Sequence, residues 1–480
     1  MNLLVFKNIS KKAILRVCLF LFVLIAKNSY SQPSPFSKKS ETIYLSILEG
    51  NIESINNPTT SEEHYLLLYQ TTLQLLLVEN ISNGEYEEVF QEALGSFNKS
   101  NKTASDNYFE SESRLLASFA YLKYESQIDA AWQLRQSYKI AKRNHEQNPD
   151  FLPSLKTLGL LEIIIGSVPE KYQWLLSLAG LHGSVQNGQK CLEEVIKSDS
   201  PLSLESKALY SLAQAYVLDD NLKSTHYLTY INNTPLMRLV KAAVWSKTNN
   251  GQEIINLSKS SNPSDFSQIH YLTGEAYLQS GDYTNSISYL KKFLKTYNGK
   301  SNLKDTFFKL YLCNLFLKEN DEEAKYKLKA KEVVSKTAAD RNAEKLLNTN
   351  FNEGLMKMRL ATDGGFYPLA ISQSQIVVLK SKEDSVEYIY RLARLQHKMN
   401  NMPDAIRNYQ TTIKKSKKEN WYYAPNSALQ LGHIYESRAE FDSSKFYYKA
   451  AIHYNNHLYK NSIDAKSEAG LNRIEVLLSD

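Results

Sequence analysis

Few residues in this 480-residue chain stand at spacings that could do chemistry. His453 and His457 are four apart, the spacing at which two imidazoles on one helix can share a metal, but no thiol or carboxylate in the sequence nearby completes a ligand set. The nine histidines are otherwise dispersed, and surface imidazoles account for them. Cys191 and Cys313 lie far apart, each inside an apolar helical pattern, which predicts buried free thiols and not a disulfide. No His-Glu-x-x-His, phosphate-binding glycine loop, Gly-x-Ser-x-Gly or Cys-x-x-Cys occurs. The pairs Glu62-Glu63, Glu87-Glu88 and Glu322-Glu323 fall where first helical turns or outer helix faces are expected, and there they complement the helix dipole. These residues predict no enzyme activity, no metal and no cofactor.

The elements that would hold any site are helical. A chain with only 12 Pro and 17 Gly in 480 residues predicts helix after helix joined by short turns, and no stretch alternates as a strand would. At the N-terminus, Lys7, Lys11, Lys12 and Arg16 precede the unbroken apolar run Val17 to Ala26. Ser29 and Ser31 then offer small side chains before Gln32. Residues 1–31 therefore read as a signal peptide, since ten apolar residues fall well short of the ~20 of a membrane span. The expectation is an exported protein: periplasmic, outer-membrane-associated or secreted. The five basic residues of that segment account for all but +1 of the formal charge of +6, which leaves no overall footprint for nucleic acid or an anionic membrane.

Similar spacings recur with a period near 34 in the C-terminal half. The unit Ala424 to Ile452 carries Leu431-Gly432, Tyr435, Phe441, Ser444, Tyr448 and Ala451. An earlier unit from Ser267 has Gly274, Tyr277, the turn Gly281-Asp282-Tyr283, Ser286, Leu290 and Phe293. A third from Ser385 has Ala393, a polar Gln396 at the tyrosine place, Ala405 and Tyr409. Between them, Leu303 to Leu317 and Asp321 to Val334 form a degenerate pair, with Ala324 as its expected small packing residue. Gly or Ala lets two antiparallel helices approach, and a large ring fills the groove beside it; stacking of units supplies stability. Three regions follow: the signal peptide 1–31, an irregular helical-repeat region 32–260, and a repeat array 261–480 closed by a capping helix 463–478. Ser61 to Glu63 and Asn262 to Asp265 are the expected helix caps.

These residues resemble the tetratricopeptide repeat superfamily over Ser267 to Ile452. The resemblance implies an all-α right-handed superhelix whose concave wall binds a protein or peptide. Gly159-Leu160-Leu161, Gly166-Ser167-Val168-Pro169, Trp174-Leu175-Leu176, Gly180 to Ser184 and Gly188 are similar to one block of the tetratricopeptide-repeat-39 and mitochondrial outer-membrane clearance family. With the signal, the layout looks like exported repeat proteins of Gram-negative bacteria. In such repeats the first helix of each unit lines the hollow. This puts Glu387, Tyr390, Arg394, His397 and Lys398 on one inner face, and Asn426, Leu429, His433, Glu436 and Ser437 on the next. Arg394, Lys398 and Asn426 could hold a peptide carboxylate, although Glu387 and Glu436 oppose an anion; the competing reading is a solvated polar face. Tyr388, Tyr390, Trp421, Tyr422 and Tyr423 form the nearest aromatic cluster, expected to plug a helix groove. The apolar block Leu155 to Leu181 is expected to be a buried helical hairpin; the alternative is a pocket near residues 155–183 that carries an apolar small molecule or lipid.

Overall fold

A computed structural model describes residues 34–51, 55–168, 176, 179–260 and 262–479. The expected signal peptide lies outside them. Among the described residues the chain is all α, with no strand, wound as a tetratricopeptide-like superhelix. Its first half contains α1 (Lys38–Leu48), α2 (Ser61–Leu73, prolonged by a π-turn Gln74–Val78), α3 (Asn83–Ser96), α4 (Ala104–Lys123), α5 (Gln127–Gln147), α6 (Pro153–Gly166), α7 (Val185–Lys197), α8 (Ser203–Tyr216), α9 (Asn221–His226), α10 (Pro235–Lys247) and α11 (Gly251–Ser258). Its second half contains α12 (Ser267–Gln279), α13 (Tyr283–Thr296), α14 (Leu303–Leu317), α15 (Asn320–Glu332), α16 (Ala338–Leu347), α17 (Glu353–Asp363), α18 (Tyr367–Ile376), α19 (Lys382–Lys398), α20 (Met402–Ser416), α21 (Tyr423–Ser437), α22 (Phe441–His453) and α23 (Lys460–Ser479).

Side-chain oxygens accept from the free amides at several helix starts. Ser82 with Glu85, Thr103 with Asp106 and Thr337 with Asp340 form reciprocal capping boxes. Thr60, not Ser61, caps α2, accepting from the Glu63 amide. The expected cap before α12 is absent: the Asp265 side chain is buried and spent on Arg238, whose Nε lies 2.7 Å from its carboxylate, so Phe266 holds the cap position and α12 starts at Ser267 without a side-chain cap. Two expectations about single residues also change. His457 lies in the loop after α22 ends at His453, so the two imidazoles do not share a helix. Ala324 faces solvent, and Tyr326 and Ala330 pack instead.

Within the C-terminal hairpins one crossing repeats with the same atoms. A Cβ on Gly274 would come within 2.7 Å of Leu290, and one on Gly432 within 2.5 Å of the Tyr448 ring. The bare carbonyls take a hydrogen bond across the gap: Ser286 Oγ donates to Gly274 O at 2.7 Å, and Ser444 Oγ to Gly432 O at 2.8 Å. Beside each crossing two rings stack, Tyr277 on Tyr289 and Tyr435 on Tyr447, both with centroids 5.5 Å apart. In the α19–α20 hairpin Gln396 stands at the tyrosine place, and Asn408 Nδ2 donates to its Oε1 at 2.8 Å, so an amide pair replaces the stacked rings.

One apolar cluster runs from Phe36 to Met356 and passes through residue 260 without a break; smaller clusters lie under α17–α18 and α19–α23. The superhelix also closes on itself. Glu79, at the end of the π-turn with φ 58°, accepts from the amides of Lys300 and Ser301 and pairs with Lys123. Gln268 donates to the carbonyl of Leu77. Helix α23 packs on α21 and α22, with Gly470 against the far side of the Tyr448 ring.

Inside the first half lies an ion cluster. Lys156, 1% exposed, places Nζ 2.7 Å from the carboxylates of both Glu112 and Glu205. Tyr44 and Tyr69 donate to Glu205 at 2.6 and 3.1 Å, and Tyr65 to Glu112 at 3.4 Å. Burial pushes the Glu112 carboxyl above its usual range against the pull of Lys156, with the neighbouring Glu205 charge adding to the rise. Three helices meet here, so removing the single cation leaves two uncompensated carboxylates. Lys156→Met is expected to lower unfolding free energy by about 3–5 kcal/mol in urea titrations, with E112Q/E205Q in the same chain restoring part of the loss.

Candidate functional site

The residues singled out from sequence divide into three groups. The first is the α19–α21 seam. Tyr390 is buried, with its ring against Tyr409, Tyr422 and Tyr423, so it packs the core and does not face a partner. Leu429 is buried as well. The cluster of Tyr390, Trp421, Tyr422 and Tyr423 plugs the groove between hairpins, as an aromatic run at a helix start should.

The second group is the two carboxylates that stood against an anion. Arg391, one position after the buried tyrosine, donates through Nε and NH2 to Glu387 Oε1 at 2.9 and 2.6 Å. Tyr423 donates to Glu387 Oε2 at 3.0 Å. Glu436 accepts from Arg473 of α23, Nε at 2.6 Å and NH2 at 2.8 Å, and from the Tyr448 hydroxyl. Its carboxyl is held at about 2: burial opposes the charge, but the bonds from Arg473, His433 and Tyr448 outweigh it. Both negative charges are therefore spent on arginines that repeat positions alone did not bring forward. Arg391 was legible as an i,i+4 partner of Glu387. The Arg473 contact spans 37 residues and depends on how the last helix docks.

The third group remains cationic. Arg394 has Asp363 of α17 as its closest carboxylate, 3.9 Å away, and Asp363 also lies 3.5 Å from Arg359. Lys398 Nζ donates to Asn249 Oδ1 at 2.6 Å, and Asn249, in the left-handed region at the α10–α11 turn, donates Nδ2 to the Asp363 carbonyl at 2.5 Å. The neighbouring turns interlock by backbone, with the Gly251 amide on the Gly364 carbonyl at 3.0 Å. A Cβ on Gly365 would strike the Asn249 carbonyl, and φ there is +80°. Thus the end of α19 touches the α10–α11 turn through Lys398 and packs on α17, with Arg394 one turn earlier. Asn426 accepts from Gln430 of its own helix at 3.3 Å, and His433 shares the Tyr448 hydroxyl at 2.7 Å. The cations and Asn426 are thus engaged with different partners: α19 with α17 and the α10–α11 turn, α21 with itself and α22.

Burial, then the cations Arg394 and Lys398, hold the His397 imidazole down to about 4. Lys398 is lowered by burial and Arg394. At neutral pH the patch carries Arg394 and Lys398 with a neutral imidazole between them, and Asp363 as the counter-charge.

The apolar block closes on itself where it is described. A Cβ on Gly159 would meet the Gly188 carbonyl at 2.9 Å, one on Gly188 the Gly159 carbonyl at 2.5 Å, and one on Gly183 the Gly166 amide at 2.6 Å. Helices α6 and α7 therefore cross backbone to backbone at these glycines, which leaves no space there for a guest. Residues 169–175, 177 and 178 of the block lie outside the described residues. Cys313 is buried and free, and burial pushes its thiol up to about 12; Cys191 is half-buried and free, pushed to about 11. Among the described residues no group of three or more His, Cys, Asp or Glu could hold a metal ion, and no helix is long and apolar enough to cross a membrane.

Residues 267–298 and 425–457 match the tetratricopeptide repeat. These are the α12–α13 and α21–α22 hairpins with the shared carbonyl bond. No curated protein matches the chain. Solved structures with similarity include a human IFIT1 dimer with m7Gppp-AAAA, at 16% identity over 93% of this chain and 96% of that one, TM-score 0.31. Another is the APC/C hetero-tetramer Cut9–Hcn1, at 13% identity over 92% of this chain and 88% of that one, TM-score 0.26. Scores this low carry no argument about function.

The imidazole environment has a measurable consequence. His270, buried on α12 near Lys292 and Arg238, is likewise lowered to about 4 by burial first. Unfolded, both titrate near 6.5, so between pH 6.5 and 4 the unfolded chain binds protons that the folded chain refuses. Stability should fall as pH drops through that window, by up to several kcal/mol for the pair, at about 1.4 kcal/mol for each pH unit separating the folded and unfolded titrations. The slope should flatten in H397Q/H270Q, followed by denaturant titration at each pH.

Proposed function

We propose that this protein is a non-catalytic scaffold of the cell envelope that binds an extended segment of a protein partner along its inner wall. An acidic side chain or chain-terminal carboxylate of that segment docks at Arg394 and Lys398. One observation carries the reading: Glu387 and Glu436, the two charges that would repel such a group, are neutralised by Arg391 and Arg473, while among the described residues Arg394 has one carboxylate contact, Asp363 at 3.9 Å. A guanidinium in that condition can take a carboxylate through two parallel bonds. The two tetratricopeptide matches support the protein-binding class, because repeats of this kind hold peptides on the concave face. The envelope assignment rests on the basic, apolar and small-residue order of residues 7–31. Carriage of an apolar molecule beside residues 155–183 has no observation in its favour, since the described glycines of that block are filled by backbone.

Crosslinking in the native host, with mass spectrometry of captured peptides, identifies the segment, and its affinity is then measured for variants. Arg394→Glu is expected to weaken binding at least tenfold, about 1.4 kcal/mol, with the wild-type melting curve retained. Arg473→Ala, which frees Glu436, should weaken it in the same direction. Affinity unchanged in both variants removes the anion-docking reading.

A further inference from the structure

The small net charge of the chain outside its first 31 residues conceals a segregated one. Residues 283–300 contain Lys291, Lys292, Lys295 and Lys300 and no Asp or Glu, and the chain has no arginine between 251 and 340. Lys291, Lys292 and Lys295 are exposed on α13, and Lys325, Lys329 and Lys331 on α15. The second helices of these successive hairpins come within side-chain reach of each other: Lys291 Nζ is 5.9 Å from the centroid of the Tyr326 ring of α15. Aromatic rings brace other ammonium groups of the face. Lys325 lies 5.3 Å from the Tyr326 ring and Lys329 5.7 Å from Phe307 of α14. Among the six, Lys325 forms the one salt bridge found among the described residues, with Glu322. Cations in a last helical turn complement the dipole, but that role needs one or two, and here two neighbouring helices pool theirs on one outer face.

Two aliphatic side chains of the same segment face outward, Leu328 at 59% exposure within α15 and Val334 at 69% just past its end. Leu328 shares the exposed face of α15 with Lys325 and Lys329. We infer that the α13–α15 face docks on an anionic phospholipid surface, with Leu328 and Val334 entering the headgroup layer. Charge complementarity identifies the occupant. Base readout or a directed carboxylate bond asks for forked donors, and this face offers none, only point charges around exposed aliphatic side chains that a nucleic-acid backbone would leave in water. A lipid surface asks for just those two things. The face lies on the second helices of the hairpins, away from Arg394, so this inference stands independently of the inner-wall reading.

The test is co-sedimentation of the full chain with vesicles of phosphatidylcholine alone and with about 30% phosphatidylglycerol. Binding is expected only to the anionic vesicles, falling at least tenfold between about 50 and 500 mM salt. K291E/K292E/K329E should reduce it at least tenfold, and Leu328→Ser about threefold, with unchanged thermal melting in both. These side chains are exposed, so folding is not at stake. Equal binding to both vesicle types, no binding to either, or an unaffected lysine variant overturns the inference. Retention of a polyanion such as heparin without vesicle binding overturns it too, and gives the face to a soluble partner.

Discussion

The close approach of two helices at a residue without a side chain is the constraint on which this architecture rests. At Gly274 and Gly432 the facing helix lies inside the space a Cβ would need, and a serine hydroxyl reaches the bare carbonyl across the gap. That contact fixes the crossing of each hairpin, and the crossing determines which side chains fall on the inner wall and which on the outer. The Gly159–Gly188 approach does the same work between α6 and α7 with backbone on both sides. Apolar burial then stacks the hairpins, so one core runs from Phe36 to Met356 although the repeat signature fades before residue 260.

Charge in this molecule is placed by the same stacking. Deep in the first half, Lys156 joins Glu112 of α4 to Glu205 of α8, residues that meet only because α4, α6 and α8 are packed together. On the α19–α21 wall, Arg391 and Arg473 neutralise the carboxylates and leave Arg394 and Lys398 in excess. On the outer wall, α13 and α15 pool lysines braced on aromatic rings. The inner and outer cationic faces differ in kind. The inner one holds a guanidinium and an ammonium group beside Asp363; the outer one holds ammonium groups and two exposed aliphatic tips.

Much of the fold was legible in the residues because hairpin packing is local. Gly274 with Leu290 and Gly432 with Tyr448 are 16 residues apart, so period and residue size announce them, and the helices at 267–279, 303–317 and 423–437 follow. Local signals also misled where a distant residue competed. Asp265 looks like a helix cap but is bonded to Arg238, and Ala324 looks like a packing residue but faces solvent because α15 is rotated to bury Tyr326 and Ala330. The α17–α18 hairpin carried no repeat signature, and its place is set by the Gly251–Gly364 backbone contact 113 residues across the chain.

The sequence alone determined that this is a chain of helical hairpins, since that follows from spacings within about 35 residues. Which of the candidate residues are available for a partner was decided only by tertiary structure. Tyr390 is removed by the rings around it and Glu387 and Glu436 by arginines, while Lys398 keeps its charge beside the neutral amide of Asn249, 149 residues away. Electrostatic neutralisation and burial depend on through-space distance, and a periodic pattern specifies the face of a helix without specifying what the superhelix later brings against it.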